Sequence, residues 1–494
     1  MALDAGRHGD AGAGFCDVAI VGGGFTGTVL ALHLVRNLGR GHVAIVEPRA
    51  ELGSGLAYSA THEVHCINVP APQMGVSAEA EDRFIGWLEK WHPALVGGGL
   101  GARSKADLTF VQRRWFGEFV RERLGATLAG SKVRLEHHRT SASDARIVEG
   151  GLELLLANGG KLRARCAVVA TSHGAPALPG GFPAALADAA GYIADPWEKD
   201  ALKRIPPEAD VLIMGTGLTM ADVAGSLLAN AHRGRIRAMS RHGLLSRAAS
   251  VAASPVALDF ASWPPATATV YLRRLRHEIA LIEREGGSWR DVFTALRHHS
   301  IDLWSKLSIA EKQRFMRHLK RFYDVHRYRM APDLAGRIAA AREAGQVEII
   351  AGRLRSARRD RGGFLVELTR RGSPEAVRWR CRAIVNCTGS RPDLGPGPGS
   401  FLGALIARGL AYPDQLGLGL TVDRDGRVYG LSRNVFALGP LTRERCGDVV
   451  GAPEIAEQAQ RLAITLENSL GEQWRDGTLS GRRGAASSLS RGPS

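Results

Sequence analysis

Asp17-Val18-Ala19-Ile20-Val21-Gly22-Gly23-Gly24-Phe25-Thr26-Gly27 is the stretch that decides the fold. A short apolar run ends in glycines that match Gly-x-Gly-x-x-Gly. Thr26 to Leu38 then reads as a helix with Val29, Leu30, Leu32, Leu34 and Val35 as its apolar positions. His42 to Val46 is a second apolar run, so the series is strand, glycine turn, helix, strand. In such a unit the first glycine makes the tight turn. The second lets a pyrophosphate approach the backbone, and the third permits close helix–strand packing. The helix N-terminus faces the phosphates. Glu47 ends the second run, placed to accept the ribose hydroxyls of an adenosine. Gly22, Gly24, Phe25, Thr26, Gly27 and Glu47 are therefore expected to hold a dinucleotide.

The series recurs. Asp210 to Met214 is a strand, Leu218 to Ala231 a helix and Arg235 to Met239 a strand. The turn between the first two is Gly215-Thr216-Gly217-Leu218-Thr219-Met220-Ala221, with Met220 in place of the third glycine. Where the first unit has Glu47, this one has Ser240, followed by Arg241. An acid there would repel a 2′-phosphate, whereas Ser240 and Arg241 can bind one, which favours NADPH over NADH. Gly215, Gly217, Leu218, Thr219, Ser240 and Arg241 form the second expected site. By fold analogy the N-terminal unit, completed from the C-terminus, takes FAD and the middle unit takes the nicotinamide.

Each half also carries a hairpin-like stretch that leads into a buried strand. Val133–Glu136 and Gly151–Leu156 precede Cys166–Ser172; Val347–Ile350 and Gly363–Leu368 precede Cys381–Gly389. The fold class expected is α/β, with two Rossmann-like dinucleotide-binding domains of the glutathione-reductase-like kind and a helical insertion. The segments expected are a flexible N-terminus at 1–14, a first FAD-binding segment at 15–200 and an NAD(P)-binding domain at 201–375. The helical insertion lies within the latter at about 271–344. A second FAD-binding segment spans 376–470, and 471–494, rich in Gly, Ser and Arg, reads as a disordered tail.

Composition narrows the class. Apolar residues are 45% of the 494 and charged ones 23%, which is globular rather than disordered. The net charge of +16, from 65 Lys and Arg against 49 acids, is spread over the second half as a solvated basic face. It brings some steering of polyanionic NADPH, and no nucleic-acid motif accompanies it. The six cysteines, at 16, 66, 166, 381, 387 and 446, include no Cys-x-x-Cys or Cys-x4-Cys pair, which argues against a disulfide-reductase mechanism. No signal-peptide core and no apolar run of about 18 residues occurs. The expectations are a cytoplasmic protein with no membrane and no nucleic-acid partner. No metal site is expected, and the oligomeric state stays open.

Further stretches carry a resemblance. Gly55-Leu56-Ala57-Tyr58-Ser59 precedes His65-Cys66-Ile67-Asn68-Val69-Pro70-Ala71. Asp195-Pro196-Trp197 precedes the second glycine turn. Asp324-Val325-His326-Arg327-Tyr328-Arg329-Met330-Ala331-Pro332 and Phe436-Ala437-Leu438-Gly439-Pro440-Leu441-Thr442-Arg443 follow. Together, from about Asp17 to Leu462, they resemble the HpyO/CreE-like FAD/NAD(P)-binding flavoproteins. The resemblance implies a monooxygenase that uses FAD, NADPH or NADH, and O2 to hydroxylate a small organic substrate through a C4a-hydroperoxyflavin. Urate or a related N-heterocycle is the first substrate reading and amine N-oxidation, of the aspartate-to-nitrosuccinate kind, the alternative. An NAD(P)H oxidase or a flavin-binding sensor without oxygen transfer is the reading from another class. Asn68, Gly389 and Gly439 are expected at the flavin, with a turn-stabilising role open for Asn68. His326 and Arg329 are expected to bind an anionic substrate, against a basic helix end paired with Asp324. Trp289, Trp304 and Phe315 read as core of the helical insertion. No catalytic base is identified. The segment Arg445–Gly451 departs from the family pattern and is expected near the flavin's redox end.

Overall fold

A computed structural model describes residues 15–486 apart from 61, 98–108, 172–173, 175, 251–255, 390–393 and 395–399, and of 472–486 the backbone alone. The expected flexible start at 1–14 and Ser172, the end of the Cys166–Ser172 stretch, lie outside the described residues.

Among the described residues two seven-stranded sheets organise the chain. The first contains β1 (Cys16–Val21), β2 (Gly41–Val46), β3 (Val133–His138), β4 (Ala142–Val148), β5 (Gly151–Leu156), β6 (Lys161–Val169) and, from far along the chain, a short C-terminal strand. Its order is β3-β2-β1-β6-β5-β4. β1 is buried along its whole length because parallel neighbours lie on both sides, helix residues such as Leu30 and Leu462 pack with Val18 and Ile20, and β4 and β5 residues such as Ala145 and Leu154 pack with Ala19 and Val21. β6 serves two partners. Its start, Lys161–Ala164, pairs antiparallel with β5, and its end, Ala167–Val169, pairs parallel with the C-terminal strand Val435–Ala437. The N-terminal sheet is thus completed by residues more than two hundred positions away.

The second sheet is built from β7 (Tyr192–Ile193), β8 (Val211–Met214), β9 (Ile236–Ser240), β10 (Val347–Asp360), β11 (Gly363–Arg370), β12 (Ala376–Cys381) and β13 (Ala383–Asn386), which makes the C-terminal strand β14. The order is β12-β11-β10-β9-β8-β13-β7. β10 pairs parallel with β9 over Val347–Ala351 and then bends, with a register shift between Leu354 and Ser356, into an antiparallel meander with β11. The last helix, Ala452–Ala486, packs on Phe25–Asn37 and supplies Ile455, Ala459, Leu462 and Leu466 to the first core.

Between β9 and β10 come helices Ala268–Arg284, Trp289–His298, Ser300–Ser305, Ile309–His318, Lys320–Arg327 and Pro332–Glu343. Ser288 opens the second with a reciprocal cap to Asp291. The last of the six differs from the expected insertion. Leu334 and Ile338 pack with Ala221 of the Leu218–Ala229 helix, so Pro332–Glu343 is the crossover helix feeding β10. The C-terminus differs as well. The final helix runs to Ala486, across most of the segment read as a disordered tail. Gly, Ser and Arg blurred the apolar period there, while Ala, Leu and Arg keep helix propensity high enough to continue.

Candidate functional site

The first glycine loop has the contacts its spacing requires. Gly22 has φ +108, and a Cβ there would lie 2.5 Å from the Ala170 carbonyl oxygen beyond β6. A Cβ on Gly27 would lie 1.9 Å from the Gly22 carbonyl oxygen, so the helix starts pressed against the turn. Gly24 caps that helix with no side chain in the way; its nearest neighbour is Gly55 Cα, 3.4 Å from where a Cβ would be. Glu47 is buried. Its Oε2 accepts the Gly23 N–H at 2.9 Å and its Oε1 both the Arg49 N–H at 3.1 Å and Arg49 Nη1 at 3.3 Å, which leaves acceptor capacity on Oε2 for a ribose. These residues fit the FAD they were assigned.

Two assignments change. The Phe25 ring is buried against Tyr58 and Phe116, with centroids 5.7 and 5.4 Å away, so only its backbone is offered to a cofactor. Gly439 does reach the loop: a Cβ on it would lie 2.9 Å from Thr26 Cγ2. However, its N–H donates to Gln458 Oε1 at 2.9 Å and is not free for a flavin. Gly389 is exposed at φ +88 just past β13, with open space around it.

The second loop is more open. Gly215 has φ +120, with a Cβ position 2.2 Å from the Cys387 carbonyl oxygen. Gly217 caps Leu218–Ala229, is exposed, and a Cβ there would meet nothing within 4 Å. Met220, in place of the third glycine, is fully buried in the second core. Ser240 Oγ accepts from the Gly243 N–H at 3.0 Å and is bonded by Thr216 Oγ1 at 2.8 Å, which fixes the turn after β9. Arg241 is exposed and has company that spacing does not reveal. His242 is held below its usual range by partial burial and then by Arg321, Arg371, Arg241 and Arg353, and Arg371 Nη1 donates to its Nδ1 at 2.8 Å. Four guanidiniums from four elements thus lie near enough to His242 to act on its charge. Such a cradle suits a phosphate.

A chamber of about 280 Å3 opens beside the N-terminus of the second loop's helix. Tyr58, Asn68 and Val69 line it from the first sheet's side, Leu218, Thr219 and Trp197 from the second, and Arg327, Tyr328, Val450 and Gly451 close it. Asn68 and the end of the divergent Arg445–Gly451 segment therefore fall together, while none of the six cysteines lines the chamber. All six are free, and burial pushes their thiols up, Cys66 to about 11 and Cys381 to about 12. Thiols so raised are poor nucleophiles.

A clasp in the chamber wall joins the halves. Arg113 Nη2 donates to Asp222 Oδ2 at 2.7 Å, its Nε to the Cys66 carbonyl at 2.9 Å, and its guanidinium lies 5.6 Å from the Trp197 ring. Ser226 Oγ donates to the Asp222 carbonyl, which leaves its oxygen to accept from His65 Nε2 at 2.8 Å. Burial, then Arg113 and His62, lower the His65 pKa from 6.5 to about 4. Between those values the unfolded chain binds the proton that the folded chain refuses, so stability falls as pH drops from 6.5 towards 4. The loss from His65 is expected to reach about 3 kcal/mol. Urea midpoints at pH 7 and pH 5 check it: His65→Gln should show a clearly shallower pH dependence, and an unchanged slope would contradict the assignment.

Of the two substrate candidates, one lies elsewhere. Arg329 donates from Nε to the His326 carbonyl at 3.0 Å and from Nη2 to the Arg290 carbonyl at 3.3 Å, and it lies over the Trp289 ring. It is absent from the linings of both cavities and ties helix ends together. His326 does line a cavity, with its ring against Trp289 and Phe293 and its Nδ1 on the Phe322 carbonyl. Nor is Asp324 the partner of a basic helix end; it pairs with Lys320, while Arg327 pairs with Asp448 and Glu454.

That second cavity, about 520 Å3, lies inside the helical cluster. Trp289, Trp304 and Phe315, read as packed core, are partly buried around it. Leu and aromatic residues at helical spacing look alike in sequence whether they fill a core or line a hollow.

Residues 19–174 match the model of a family described as FAD-NAD(P)-binding. Curated protein sequences give no match. Among solved structures, an ornithine N-hydroxylase from Kutzneria sp. 744 is 17% identical, with a TM-score of 0.65, covering 92% of this chain and 100% of that one. A cadaverine monooxygenase from Erwinia amylovora is 13% identical, with a TM-score of 0.62, covering 92% and 95%. An L-lysine 6-monooxygenase from Pseudomonas syringae is 16% identical, with a TM-score of 0.60, covering 92% and 99%. The chain has the fold of two-domain FAD/NAD(P)-binding flavoproteins, with both sheets and the helices between them. Among the described residues no helix is long and apolar enough to cross a membrane.

Proposed function

We propose that the protein is an FAD- and NADPH-dependent monooxygenase that oxygenates the nitrogen of an amine. One observation carries this reading: the flavin-side residues Asn68 and Val69 and the first residues of the second loop's helix, Leu218 and Thr219, line a single chamber with no cysteine in it. A nicotinamide and a flavin would meet there without a thiol relay. The amine reading is favoured over urate because the neighbours in fold act, by their names, on ornithine, lysine and cadaverine. The urate reading gains no support.

Bound FAD supplies the redox chemistry, taking hydride from NADPH and activating O2. The chain's own residues bind, orient and enclose. The Phe25–Asn37 helix N-terminus takes the FAD pyrophosphate and Glu47 the ribose. Gly217 and the Leu218–Ala229 helix N-terminus take that of NADPH. The Arg113–Asp222 clasp fixes the distance between the two halves. Tyr58, whose hydroxyl burial pushes well up, stays neutral as a wall of the chamber.

The arginine cradle at His242 is assigned to the 2′-phosphate. Arg241→Ala with Arg371→Ala is expected to raise KM for NADPH roughly tenfold and leave that for NADH within about twofold. Steady-state kinetics with both cofactors check it, and equal shifts would remove the assignment. The activity itself is tested by coupling. With the right amine, NADPH consumed, O2 consumed and N-oxygenated product formed should be equimolar. Hydrogen peroxide equimolar with NADPH across a panel of amines and purines would mark an oxidase and overturn the proposal.

A further inference from the structure

We propose that the cavity in the helical cluster is a binding site for an apolar molecule with a single carboxylate head, held apart from the flavin chamber. The site is independent of the amine reading, because the cavity and the chamber share no lining residue.

Interior packing leaves few voids larger than a water molecule, and a hollow of about 520 Å3 is in the range of ligand sites. Its walls are mostly Leu and aromatic side chains, among them Trp263, Trp289, Phe293 and Leu303. Such walls favour an apolar body, whose surface leaves water on entering.

The charged groups decide the head. Arg276, Lys320 and Arg443 line the cavity, against Asp324 and Asp448. Both carboxylates already have cationic partners. Lys320 Nζ lies 2.5 Å from Asp324 Oδ2. Asp448 pairs with Arg327, which lies outside the lining, and accepts from the Tyr323 and Tyr328 hydroxyls. The two lining guanidiniums have no such partner: among the described residues no carboxylate lies within 4.0 Å of Arg276 or Arg443. Arg443 Nε is shut off from solvent and has no hydrogen-bond partner. Its charge reaches Asp324 from further off, with no hydrogen bond between them.

A buried N–H left unpaired costs free energy that an arriving acceptor returns. A carboxylate fits, since it can take Nε and an Nη of one guanidinium side by side. An ammonium would instead meet two uncompensated cations. The Tyr271 and Ser300 hydroxyls, also on the wall, spend their hydrogens on the Pro264 and Arg297 carbonyls, so the cations are left to recognise the head. Arg443, half-buried, holds it. Arg276, exposed on the Ala268–Arg284 helix, draws the anion in.

The test is calorimetric titration of the FAD-loaded, oxidised protein with decanoate, decan-1-ol and decylamine, without NADPH. The three share a chain and differ in the head. Decanoate is expected to bind at least about tenfold more tightly than decylamine. Arg443→Met should weaken decanoate about tenfold and leave decan-1-ol within about twofold. Leu303→Trp and, from another helix, Leu275→Trp fill the hollow and should abolish binding of both, while FAD stays bound. Absence of decanoate binding, decylamine binding as tightly, equal loss of decanoate and decan-1-ol in Arg443→Met, or unchanged binding in both tryptophan variants overturns the proposal.

Discussion

Gly217→Ala is expected to cut NADPH-driven reduction of the bound flavin by about a hundredfold at low NADPH, with the protein folded and FAD still in place. Gly217 sits at φ −86 and ψ −163, which alanine adopts without strain, and a Cβ there meets nothing within 4 Å. The substitution therefore costs the folded chain little. The open space is where the pyrophosphate would approach the helix N-terminus, and a methyl group there holds the phosphates off the backbone N–H groups. Losing about two charge-assisted hydrogen bonds at roughly 1.5 kcal/mol each gives the stated factor. Gly215→Ala is the contrast. Its φ of +120 and a Cβ position 2.2 Å from the Cys387 carbonyl oxygen put the damage into folding. Reduction kinetics, circular dichroism and flavin content separate the two. Wild-type reduction by Gly217→Ala would mean that the nucleotide does not cross that loop.

Arg327→Met is expected to destabilise the protein by about 3–5 kcal/mol, the largest stability effect of any single substitution considered. The Arg327 side chain is 8% exposed and lies 2.7 Å from Asp448 Oδ2 and 3.0 Å from Glu454 Oε1. The Nε hydrogen is not aimed at Asp448, so that contact is an ion pair rather than a hydrogen bond. Without the guanidinium, Asp448 keeps only the Tyr323 and Tyr328 hydroxyls, and Glu454 keeps Arg297 at 2.5 Å. Denaturant midpoints at pH 7.5 check it. A loss under about 1 kcal/mol, as for an exposed pair, would contradict the role given to this network.

What could be read from the sequence was what lies close together in it. Gly22, Gly24, Gly27 and Glu47 follow one another within a single strand–turn–helix–strand unit, and the structure places them as the spacing requires. The completion of the first sheet from the C-terminus was expected by fold analogy, and Val435–Ala437 supplies it beside β6. The arginine cluster around His242 was not. Arg241 adjoins Ser240, but Arg321, Arg353 and Arg371 come from a helix, a strand and a turn with no common spacing. The same holds for Arg113, Asp222 and Trp197, which meet only across the two halves. Arg329 misled because a basic residue beside His326 reads as an anion site, whereas its guanidinium caps carbonyls at helix ends. The cavity escaped notice since helical spacing reports which face is apolar, not whether that face is filled.

The central claim, that FAD and NADPH meet in one chamber, is tested most directly by anaerobic titration of the FAD-loaded protein with NADPH. The flavin's visible absorbance should be lost in proportion to NADPH added, reaching completion near one equivalent. A protein that takes up no FAD, or whose bound flavin stays oxidised in excess NADPH, would contradict the account.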